Sequence, residues 1–111
     1  MHYFKIMAAL VLAVILTGAC ASLKPTSLTD ARNSCYTFTG PNDNGSCGVD
    51  QTDVCDRFFN GLDQMASYEE CEKRCEEVNK NVLLDPVLLG CDDLRQRADW
   101  LCRDYCRDNY R

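Results

Sequence analysis

The residues in this sequence best equipped for chemistry are its cysteines, which stand at positions 20, 35, 47, 55, 71, 75, 91, 102 and 106. Thiols can hold zinc, attack an electrophile or oxidise to disulfides, and spacing separates these roles. The common zinc sites use a CxxC pair or His ligands. No CxxC occurs, and the one His is His2. Past that residue the chain cannot build a Ser-His or Cys-His nucleophile. Paired carboxylates could still hydrolyse a glycoside. The twelve Asp and five Glu, however, are spread through polar segments as a solvated face requires. A body this small leaves little room for a cleft that would shift a carboxylate pKa. The expectation is a protein without catalytic activity, metal or cofactor.

Disulfides need an oxidising compartment, and the N-terminus points to one. Lys5 precedes an uninterrupted apolar run, Ile6 to Leu16, and then small residues, Thr17 to Ala21. That is the build of a secretory signal peptide. Eleven residues rise about 17 Å as a helix, roughly half a bilayer core, too short for an anchor. Ala19-Cys20-Ala21 supplies a small-x-small exit, so cleavage is expected after Ala21. It removes Cys20 and leaves Cys35, Cys47, Cys55, Cys71, Cys75, Cys91, Cys102 and Cys106. An even set in a short exported chain reads as four bridges. Each is worth about 2–4 kcal/mol, which a small core needs. Eight cysteines allow 105 pairings, and spacing alone does not choose among them.

The elements that would carry these cysteines divide into segments. Residues 22–34 are polar and read as an extended arm. From Cys35 a β-hairpin is expected: Tyr36 to Thr39 are strand formers, and Gly40 to Gly45 (GPNDNG) carries turn chemistry. Asn44-Gly45-Ser46 is also a glycosylation sequon, with Asn44 as the acceptor. Ser67-Tyr68-Glu69-Glu70 is a capping box opening a helix, which sets Cys71 and Cys75 on one face. Asp85-Pro86 could start another helix, with Asp85 as cap. Over Asp92 to Arg107, Leu94, Ala98, Leu101, Cys102 and Tyr105 recur at helical spacing. Leu94, Trp100, Leu101 and Tyr105 read as core. Cys71-x3-Cys75 is echoed 31 residues later by Cys102-x3-Cys106.

Ser67 to Cys75, SYEECEKRC, resembles the closing helix of a Kunitz-type domain. Cys47-x7-Cys55 matches the spacing of that family's third and fourth cysteines, and Tyr36, Phe38 and Gly45 resemble its aromatic hairpin. The resemblance implies a small disulfide-rich α+β fold: a Kunitz-like core over residues 35–78, with residues 79–111 as a C-terminal helical extension. It implies Cys35–Cys55 and Cys47–Cys71 bridges, and an inhibitory loop at Cys35, Tyr36, Thr37 and Phe38, with Tyr36 entering a protease pocket. Relatives of this kind are abundant in tick saliva, where they act on host proteases, clotting and ion channels. A different fold reading is a helical hairpin clamped by the two Cys-x3-Cys helices, like the α-hairpinins. In that reading 26 residues, Cys91 among them, separate the two pairs.

Charge limits the partner. The mature chain keeps eleven Lys and Arg against seventeen acids, and Arg95, Arg97, Arg103, Arg107 and Arg111 are interleaved with acids. Nucleic acid would need a basic stripe, and a membrane surface a basic amphipathic helix. The expected protein is a secreted monomer that binds an extracellular protein, such as a host protease or another plasma or cell-surface protein. The Kunitz resemblance implies that it would do so as an anti-haemostatic inhibitor. The alternative is a channel-blocking toxin, immune-evasion binder or antimicrobial protein on the same scaffold.

Overall fold

The computed structural model describes residues 3, 24–41, 43 and 47–110. The expected signal segment (apart from Tyr3), its expected cleavage site and the sequon residue Asn44 lie outside these. From residue 24 onward the described chain forms four α-helices: α1 (Leu28–Tyr36), α2 (Cys47–Phe59), α3 (Tyr68–Leu83) and α4 (Asp92–Asn109). Two short 3-10 turns, Leu62–Gln64 and Pro86–Leu88, join the later ones. No strand occurs among the described residues. The α+β expectation and the Kunitz resemblance are therefore overturned.

The reason lies in which residues can reach a core. Val54, Cys55, Phe58, Phe59 and Leu62 are all fully buried, and their spacing of three to four residues fits one face of a helix. Burying the two Phe and one Leu contributes about 1.5–3 kcal/mol each. That outweighs the strand preference of the four residues from Tyr36 to Thr39, since β-propensity spans only about 1 kcal/mol. The segment read as an extended arm folds from residue 28 onward into α1. Ser27 caps it, its Oγ accepting from the Asp30 amide at 3.1 Å.

α3 and α4 begin where the sequence placed them. Ser67 Oγ accepts from the Glu70 amide at 3.1 Å, and Glu70 reaches back to the Ala66 amide at 2.6 Å. The expected side of α4 is buried: Leu94, Ala98, Leu101, Cys102 and Tyr105, joined by Cys106. Trp100 departs from the core reading. It is half exposed, with the Arg97 guanidinium 4.8 Å over its ring centre.

The disulfides fix the arrangement. Cys71 pairs with Cys106 and Cys75 with Cys102, so the outer and inner cysteines of the two Cys-x3-Cys helices match in antiparallel order. The helical-hairpin alternative is what this half of the chain adopts. The four sulfurs are packed together and buried, with Cys75 Sγ 3.6 Å from Cys106 Sγ. Cys35–Cys55 ties α1 to α2. Cys47–Cys91 ties the start of α2 to the start of α4. The expected Cys47–Cys71 bridge does not form, because Cys71 faces α4 from the first turn of α3, away from the end where α2 begins.

Candidate functional site

The residues expected to form an inhibitory loop are part of a helix terminus. Cys35 is fully buried in its bridge. Tyr36 is the last residue of α1, and its hydroxyl donates to the Asp56 carboxylate. That hydrogen bond, with burial second, raises the Tyr36 pKa above its ordinary value. Thr37 caps the helix, its amide donating to the Asn33 carbonyl at 3.1 Å and its hydroxyl to the same carbonyl at 2.9 Å. Phe38 packs against the core. The Gln51 side-chain amide lies 3.0, 3.0 and 2.7 Å from the carbonyls of Cys35, Tyr36 and Phe38. Side chains from α2 thus hold this segment, and it presents no extended, projecting backbone.

A different surface stands out at the turn of the hairpin. Leu83 is 49% exposed, Leu84 72%, Val87 72% and Leu89 67%. Four large aliphatic side chains within seven residues therefore face solvent at one end of α3 and α4. A patch of this kind on a soluble domain usually marks an interaction surface. Val82, just before them, and Leu88, among them, are buried and anchor the connection.

The tip is held from three sides. Asp85 caps the Pro86–Leu88 turn, accepting from the Val87 amide at 3.0 Å, while its other oxygen meets Arg57 Nη1 at 3.3 Å. Arg57 also pairs with Asp53 at 2.9 Å, and that hydrogen bond is the main cause of its raised pKa. From the far side of the sequence, Asp43 caps α4, its two oxygens accepting from the amides of Asp93 and Leu94 at 2.9 and 3.1 Å. Cys91, the residue before α4, gives no side-chain cap of its own. Gly40 makes this close approach possible. A Cβ there would stand 2.5 Å from the Asp93 Cβ, nearer than atoms tolerate. Cys47–Cys91 completes the restraint. Between α2 and α3, running from Asn81 back to Arg74, lies an open groove of 340 Å³ lined by Arg57, Arg74, Glu77, Val78 and Asn81.

The helix expected to start at Asp85-Pro86 does not develop: Asp85 caps as expected, but only the short 3-10 turn Pro86–Leu88 follows. Sequence reasoning did not assign this apolar stretch, Asn81 to Gly90, to the surface. The signal that could have done so is the alternation of buried Val82 and Leu88 with residues too many for one helix face. No described helix is long and apolar enough to cross a membrane, and the four disulfides fit an extracellular protein. No protein-family model, curated protein or solved structure matches this chain.

Proposed function

We propose that this chain is a secreted, non-enzymatic binding protein that docks on an extracellular protein through the tip of its α3–α4 hairpin. The observation that carries this reading is the exposure of Leu83, Leu84, Val87 and Leu89 on a connection that is itself firmly held. Exposed aliphatics cost solubility. A fixed backbone beneath them lowers the conformational entropy lost on binding. Together they favour a docking role over an incidental patch.

The test uses mature protein bearing Leu84→Asp and Val87→Asp. Both positions are largely solvated, so stability should change by less than about 0.5 kcal/mol per site, with an unaltered far-ultraviolet spectrum. Immobilised wild-type protein is expected to retain a saturable partner from the extracellular fluid of its native setting, and the variant to lose it. Equal retention by both proteins would remove the tip from the binding surface.

A further inference from the structure

We infer that the partner's receiving site is an apolar pocket with a cationic rim, an inference that rests on the tip being the docking surface. The tip is not surrounded by neutral ground. Asp43, Asp50, Asp53, Asp85, Asp92 and Asp93 lie at the same end of the molecule, on the first two turns of α2, the first turn of α4 and the two loops that meet there. The cations at the same end are Arg57, Lys80 and Arg95, half as many. Two of them are paired with acids of the same set, Arg57 with Asp53 and Asp85 and Arg95 with Asp92 at 3.7 Å, so this end keeps an excess of three acids over cations. The aliphatic tip therefore sits at an acidic end of the molecule. At physiological salt, charges act over about 8 Å, and Asp85 stands within the tip itself, so the acidic excess at this end selects the charge of whatever surrounds the pocket.

The same facts disfavour two other occupants. A second copy meeting tip to tip would press two acidic ends together. It would also cover only a few hundred Å² of apolar surface on each side, against the roughly 800 Å² per partner of a standard stable interface. An anionic lipid leaflet attracts basic segments and repels a chain with six more acids than bases after cleavage.

The experiment uses two synthetic amphipathic helical peptides as probes. They share one leucine face, flanked by lysines in one and by glutamates in the other. Binding to the intact mature protein is followed by fluorescence anisotropy at low and physiological salt. The lysine-flanked peptide should bind at least tenfold more tightly than the glutamate-flanked one. Its binding should weaken with salt, weaken several-fold in Asp92→Asn, and vanish in the Leu84→Asp, Val87→Asp variant. Equal binding of both peptides, lost in the tip variant, would overturn the cationic rim while keeping the tip as the docking surface. Binding of either peptide that the tip variant preserves would overturn both. Failure to bind either peptide would overturn the inference. So would uptake by phosphatidylcholine vesicles, or dimerisation abolished by the tip variant. These last two name the lipid or the second copy as occupant instead.

Discussion

Tyr36 shows how a single residue can be placed by sequence and still change its meaning. Its position beside Cys35 is where a Kunitz resemblance puts a protease-entering side chain, yet its hydroxyl is spent on Asp56. The hydrogen bond holds the phenol protonated and raises its pKa above the ordinary value of 10.0. A group that keeps its proton more firmly when folded stabilises the fold fully below its unfolded pKa. The contribution is then lost as pH climbs from about 10 through the raised folded value. Tyr36→Phe should cost about 1 kcal/mol at neutral pH. It should also flatten the fall in stability above pH 10, as read from urea unfolding at a series of pH values. An unchanged alkaline limb in the variant would place the titrating group elsewhere. The residue-level signals that read correctly were caps: Ser67 and Asp85 each accept the amide expected of them. Caps are legible because donor and acceptor are two or three residues apart. The cap that Asp43 gives α4 spans 50 residues and leaves no local trace.

At the scale of elements, α3 and α4 were legible and α1 and α2 were not. α4 buries six residues at helical spacing. α1 buries only Ala31 and Cys35, too few to show a period, and its polar sequence reads equally well as an arm. α2 did carry a helical pattern in Val54, Cys55, Phe58 and Phe59. The turn chemistry of GPNDNG pulled the reading toward a hairpin, although Gly40 and Asp43 serve packing and capping against α4. The pairing of the α3–α4 hairpin can be checked directly. Arg74 separates Cys71 from Cys75, and Arg103 separates Cys102 from Cys106, so trypsin cleavage at both distinguishes the two registers. Peptides joined as Cys71–Cys106 and Cys75–Cys102 are expected. A Cys71–Cys102 link would require the helices to run parallel and would refute the antiparallel hairpin.

For the whole molecule, the cysteine count gave the four bridges but not their pattern. The spacing that resembled a Kunitz domain led to Cys35–Cys55, which forms, and to Cys47–Cys71, which does not. Connectivity follows from which helix faces meet, and that depends on the packing of all four helices. The secreted product is expected to begin at Ser22, and alkylation without reductant should add no mass. Any gain would reveal a free thiol. Full reduction should unfold the protein at body temperature, since each bridge contributes about 2–4 kcal/mol to a small domain whose total stability is commonly 5–15 kcal/mol.

The turn between α3 and α4 divides its labour residue by residue. Val82, Leu88 and Cys91 hold the chain in place, while Leu83, Leu84, Val87 and Leu89 contribute little to the core. Substitutions at the second set leave the first untouched. Under the proposed docking role, partner choice could be re-engineered there without a matching loss of stability. The fold itself therefore places little constraint on the tip's four exposed positions, and what constrains them is whatever they touch outside the molecule.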